Sequence, residues 1–132
     1  MIAVSIRKDE IQISGHANYA EAGKDIVCAG ATTLVQTLIR SIEDLTEDKI
    51  EYDISPGRVD IKYRNLSEKA KTLVDSFFIG ICMIADEFPD YIQIAGESLS
   101  WSDNDFAEYM SDIQLYKDSK NADSHKGGIL WL

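Results

Sequence analysis

The chain predicts an α+β fold of two layers: a largely antiparallel sheet with two amphipathic helices on one face, in the order ββαββαβ. Three observations carry this reading. Short segments alternate apolar and polar residues with period two, two longer segments repeat apolar residues every third and fourth position, and Gly, Pro, Asp and Ser punctuate the boundaries. Helices laid on one side of such a sheet bury both kinds of apolar face at once.

The first segment places Ile2, Val4 and Ile6 on one side and Ala3, Ser5 and Arg7 on the other. After the polar turn Lys8-Asp9-Glu10 the alternation resumes at Ile11 and Ile13, so the two runs form a hairpin ending at Gly15. Residues 17–24 are mostly small or polar, which offers a loop little to pack. Asp25 then stands where an N-cap belongs, before a helix whose buried stripe is Val27, Ala31, Leu34, Val35, Leu38, Ile42 and Leu45. A second hairpin follows: Ile50, Tyr52 and Ile54, the turn Ser55-Pro56-Gly57, then Val59, Ile61 and Tyr63. Ser67 caps a second helix with Ala70, Leu73, Val74, Phe77, Ile81, Ile84, Ala85 and Phe88 on its apolar side, and Pro89 stops it. Tyr91-Ile92-Gln93-Ile94 reads as a closing strand. We expect one domain over residues 1–96 and a C-terminal extension over 97–132, where aromatics such as Trp101, Phe106 and Tyr109 are scattered among Ser, Asp and Lys.

At 132 residues the chain has the length of one ordinary domain, and its 45% apolar and 27% charged residues are the balance of a globular protein with a core. The net charge of −10 argues against nucleic acid and suits a basic peptide or protein partner. No apolar run is long enough to cross a bilayer, and the first residues lack a secretory pattern, so the expected location is the cytoplasm. Cys28 and Cys82 are then free thiols rather than a disulfide. No Cys/His cluster has zinc spacing and no glycine-rich phosphate loop is present, so neither metal nor cofactor is expected.

Chemistry concentrates at the end of the first hairpin. With Asp25 as N-cap, Cys28 falls in the first helical turn, where unpaired amides and the helix dipole favour an anion. A nucleophilic cysteine needs that help, because an ordinary thiol has pKa about 8.5 and is mostly protonated at neutral pH. Ala29 and Gly30 leave the backbone accessible there, and their amides are candidate donors to an oxyanion. His16 follows Gly15, whose missing side chain permits an unusual turn, and histidine is the natural base for a thiol. Strand end and helix start bracket one loop and can lie side by side. From residues alone a second reading stands: a non-catalytic binding module in which Cys28 is simply packed, since cysteine is among the most buried residue types. Asp25 either orients His16 or only caps the helix, and capping fits better, because its charge opposes ionisation of a nearby thiol. Cys82, mid-helix among Phe78, Ile79, Ile81 and Met83, reads as core.

The segments Gly15-His16-Ala17-Asn18-Tyr19-Ala20 and Gly23-Lys24-Asp25-Ile26-Val27-Cys28-Ala29-Gly30 closely resemble the signature of the ribosomal-processing cysteine protease Prp family, with Ile84-Ala85-Asp86-Glu87-Phe88-Pro89-Asp90-Tyr91 similar to its closing segment. The resemblance spans about residues 1–95. It implies a homodimeric endopeptidase that removes a short N-terminal extension from a large-subunit ribosomal protein, cutting after a Leu-Gln-Phe-Phe-like sequence; some staphylococcal phages use the same activity on capsid and scaffold proteins. By position it implies Cys28 as nucleophile and His16 as base, with the family's aspartate at Asp25. Two departures stand out. Thr32 occupies the place where many members have Ser, adding a methyl to any pocket there, and the 97–132 extension makes the chain longer than typical members. Within that extension, Ile113-Gln114-Leu115-Tyr116 resembles the implied cut site, and two readings stand: an ordinary appendage that packs Trp101 and Phe106 on the domain, or a tail that visits the cleft as a weak substrate or inhibitor.

Overall fold

A computed structural model of the protein describes residues 1–21 and 23–96. The extension from residue 97, including the cut-site-like segment at 113–116, lies outside the described residues. Within them the order is β1 (Ile2–Ile6), β2 (Glu10–Ser14), α1 (Ile26–Leu45), β3 (Ile50–Ser55), β4 (Arg58–Tyr63), α2 (Glu68–Glu87) and β5 (Ile92–Gly96), the ββαββαβ pattern that the periodicity predicts.

The five strands form one sheet in the order β3-β4-β2-β1-β5. Each hairpin pairs antiparallel, and β4 joins the two hairpins by pairing antiparallel with β2, Ile13 facing Val59 and Ser14 facing Arg58. The closing strand β5 runs parallel to β1, because α2 carries the chain back across the sheet before β5 begins. The sheet is therefore antiparallel but for one pair.

Alternation decides the layers. Ile2, Val4, Ile6, Ile11, Ile13, Ile61 and Tyr63 are buried against the helices, while Gln12, Glu51, Asp53 and Lys62 remain exposed. From above, α1 contributes Val27, Ala31, Val35, Leu38, Ile39 and Ile42, and α2 contributes Ala70, Val74, Phe77, Phe78, Ile81 and Ile84. Ile6, Ile11, Ile42, Ile61 and Ile81 are fully buried, each worth about 1.5–3 kcal/mol of transfer free energy. The helices approach closely at small residues: a side chain at Gly30 would come within 3.1 Å of Ile84, and one at Gly80 within 3.0 Å of Leu34.

Three expected core residues are more open than their period implies. Leu45 is 60% exposed, being the last residue of α1 and beyond Ile42, the last buried position. Tyr52 and Ile54 are each 46% exposed because β3 is the outer strand, with a neighbour on one side only. That open flank borders the site described next.

Candidate active site

The site begins with a helix cap. Asp25 adopts an extended backbone, and its Oδ1 accepts from the amides of Val27 and Cys28, both at 3.0 Å. Its Oδ2 accepts from the preceding loop, from Tyr19 N–H at 3.0 Å and Ala20 N–H at 3.4 Å. One carboxylate thus fastens the preceding loop to the helix. Burial pushes this carboxyl up, but the four backbone N–H groups outweigh that and hold it below its ordinary value.

Cys28 is the third residue of α1 and is partly exposed. Its Sγ accepts a hydrogen bond from Ala17 N–H at 3.3 Å. The sulfur therefore faces a backbone donor from the loop as well as the positive end of the helix. No acidic residue occupies the first turn of α1 to offset that end.

His16 reaches the same place from the other side. The pairing of Ser14 with Arg58 carries the β3–β4 turn alongside the end of β2, where Gly15 N–H donates to Gly57 carbonyl at 2.8 Å. Gly15 itself has φ of +93°, and a side chain there would collide with the Met1 carbonyl, so glycine is required on both counts. His16 and Cys28 then line one cleft of about 400 Å³, walled by Ile13, Val35, Ile54, Val59 and the turn Ser55-Pro56-Gly57. A longer groove of about 730 Å³ continues from it between α1 and β3, sharing Thr32, Gln36 and Ile54. Among the described residues no group of His, Cys, Asp and Glu is arranged to hold a metal, and no helix is long and apolar enough to cross a membrane.

Residues 1–93 match the family model described as cysteine protease Prp. The chain belongs to this family. Among its relatives, the ribosomal processing cysteine protease Prp of Mycoplasma genitalium is 30% identical over 100 residues, covering 74% of this chain and 98% of that one. The Bacillus subtilis protein of the same name is 26% identical over 110 residues, covering 71% and 96%. In three dimensions the chain is similar to the Staphylococcus aureus ribosomal processing protease Prp in complex with a covalently linked product peptide, with TM-score 0.70 and 24% identity over 74% of this chain and all of that one. A Streptococcus mutans structure, SMU.848, superposes with TM-score 0.60 at 26% identity over 72% and 90%. The chain is a cysteine protease of the family that includes these ribosomal processing enzymes.

For a protease of this family the remaining sequence candidates fall into place with different tasks. Asp25 binds backbone amides, and no hydrogen bond joins it to His16; its observed work is the cap and the loop. Thr32 lies one helical turn beyond Cys28 and lines the cleft. Ala29 is a correction. Its N–H donates to the Asp25 carbonyl at 3.0 Å, closing the first turn of the helix, and is already engaged. Gly30 instead lets the two helices approach. The expectation of a poorly packed loop also needs revising, since Tyr19 sets its ring edge-on against Phe88 and Tyr91, with centroids 5.2 and 5.1 Å apart. Reasoning from sequence missed the Ala17 amide, Gln36 and the β3–β4 turn. Gln36 stands eight residues beyond Cys28, on the same helical face, a spacing that could have found it; the other two depend on pairing between distant segments.

Proposed function

We propose that this chain is a processing endopeptidase with Cys28 as nucleophile and His16 as base, and that it removes a short N-terminal extension from a large-subunit ribosomal protein. The observation that carries the reading is the Cys28 sulfur, held at a helix N-terminus under the Ala17 amide in a cleft that His16 also lines. His16 takes the thiol proton, and the sulfur attacks the scissile carbonyl carbon to form a C–S bond. The tetrahedral oxyanion collapses, the C–N bond breaks, and the imidazolium returns its proton to the departing amine. Water, activated by the neutral imidazole, then hydrolyses the thioester and frees the sulfur. No His16–Cys28 hydrogen bond is formed among the described residues, as is common before substrate draws such a pair together.

A peptide substrate is supported by the groove that extends the cleft along α1, and by the S. aureus relative, described with a covalently linked product peptide. The cut after a Leu-Gln-Phe-Phe-like sequence, the homodimer and the cytoplasmic setting belong to the same reading. A phage capsid or scaffold protein is the other substrate of the required kind. The test is incubation with a peptide containing Leu-Gln-Phe-Phe and, in parallel, with a scrambled peptide, followed by mass spectrometry. Cleavage after the second Phe of the first peptide alone is expected. An intact peptide, with Cys28 alkylated no faster than Cys82 at neutral pH, overturns the reading.

A further inference from the structure

The turn between β3 and β4 touches His16 in a way that a generic hairpin turn does not require. Gly57 has φ of +73°, and a Cβ built on it would lie 2.9 Å from His16 Nε2, 3.3 Å from Cε1 and 3.6 Å from Cδ2. The imidazole occupies the space that any side chain at this position would fill. Positive φ alone does not demand glycine, for this chain places Asn18 at +57° and Asn65 at +51°. The Gly57 amide plane is also fixed, because its carbonyl accepts from Gly15 N–H at 2.8 Å, one residue from His16. The backbone is thus held against this turn, and the ring lies against it.

We infer that Gly57 is a positioning residue of this protease: the void left by its absent side chain is the seat of the His16 imidazole. The inference rests on the reading of His16 as the base. A Cβ at position 57 has to push the ring aside, since the backbone beneath it is pinned by the Gly15–Gly57 hydrogen bond and by the β2–β4 register. The ring then rotates about its own side-chain bonds and leaves its place in the cleft that Cys28 also lines, while the peptide groove along α1 stays intact. Displacement of a catalytic group by about 1 Å costs about 10²-fold in rate.

The experiment is a double-mutant cycle. Gly57→Asn, which keeps a residue tolerant of positive φ, is made with His16 present and in the His16→Ala background, and Gly57→Ala accompanies each. With His16 present, Gly57→Asn should lower kcat for peptide cleavage about 10²-fold with little change in KM. It should slow Cys28 alkylation at neutral pH toward the His16→Ala rate, and it should lower Tm. With His16 already truncated, the same substitution should move none of these. The Tm comparison reads the seat without reference to activity, so it separates failure of the seat from failure of the base assignment. Full cleavage by His16→Ala overturns the base. Full cleavage and thiol reactivity in Gly57→Asn, or an equal fall in Tm in both backgrounds, overturns the seat. A Gly57→Asn protein that folds only when His16 is truncated supports the seat, and one that folds in neither background overturns it.

Discussion

Both helices of this fold follow a hairpin and begin with a cap, and the two starts can be laid side by side. At α1, Asp25 accepts from the amide of Cys28, and its carbonyl accepts from Ala29 N–H. At α2, Ser67 Oγ accepts from the amide of Ala70 at 3.2 Å, and its carbonyl accepts from Lys71 N–H at 2.9 Å. Cys28 and Ala70 therefore hold the same place, third in their helices. Yet Ala70 is fully buried and Cys28 faces a cleft. The connection into α2 is four residues, 64–67, and drops the chain straight onto the core; the one into α1 runs from Gly15 to Asp25 and returns Ala17 and His16 to the helix end. Charge differs as well: α2 carries Glu68 in its first turn, whereas α1 has no acid there, leaving its positive end for a thiolate. A capped helix start is thus common to both, and the long loop is what turns one of them into a candidate site.

The largest effect should come from exchanging the two third positions. Cys28→Ala is expected to abolish peptide cleavage with a Tm close to that of the parent, since losing one sulfur from a partly exposed site leaves little cavity. Adding Ala70→Cys to that variant should restore nothing, because among the described residues His16 and the Ala17 amide lie at the start of α1, and Ala70 is buried in the core. Recovered cleavage would mean that the helix end alone suffices. Next in size, His16→Ala should lower cleavage by about 10²–10⁴-fold and slow alkylation of Cys28 while leaving Cys82 unchanged. Equal alkylation of Cys28 with and without the imidazole would show that the histidine does not act on the thiol.

How much of this was legible beforehand follows the range of the interactions. Element order, both caps and both hairpin turns lie in short windows, and periodicity found them. Gly15 and Asp25 likewise mark the two ends of one loop in the sequence, and the structure puts His16 and Cys28 on the lining of one cleft. The parallel β1–β5 pair and the β2–β4 register depend on contacts between remote segments, which no local pattern reports. The same holds for what the register brings to the site: Gly57 over His16, and Tyr19 against Phe88 and Tyr91. Exposure of Leu45, Tyr52 and Ile54 was misjudged for a related reason, because period assigns a face but not how far the opposing layer extends.

The caps sharpen the comparison at smaller amplitude. Ser67→Ala and Asp25→Ala should each cost about 1 kcal/mol of stability, the usual value of a lost N-cap. Only the Asp25 variant should also lose cleavage well beyond its unfolded fraction, because the same carboxylate holds the Tyr19 and Ala20 amides of the loop that carries His16. Urea midpoints beside kcat/KM for the pair check this, and parallel losses of activity in both variants would place the loop's anchorage elsewhere, at Tyr19 on Phe88 and Tyr91.

The smallest expected effect is on acid stability, and it again sets one helix start against the other. Asp25 is held below its ordinary value of 3.8 by backbone amides that overcome its burial, and Asp48 is held below the same value chiefly by the Ser67 hydroxyl, at 2.6 Å, and the Ser67 amide, at 2.7 Å. For a carboxyl whose folded pKa is depressed, the unfolded chain binds the proton first as pH falls. Its contribution is therefore complete above the unfolded value and is lost progressively as pH drops from there through the folded value. Asp25→Asn and Asp48→Asn remove the titration while keeping a side chain that can still accept from an amide. The stability gap between parent and each variant should be constant near neutrality and should narrow as pH falls below about 4. Amide exchange then separates the two ends: acid should release Tyr19 and Ala20 through Asp25, and Ser67 through Asp48, each effect disappearing in its own Asn variant. A gap that stays constant between about pH 5 and pH 3 would show that these carboxylates stabilise the helix starts by geometry and not by charge.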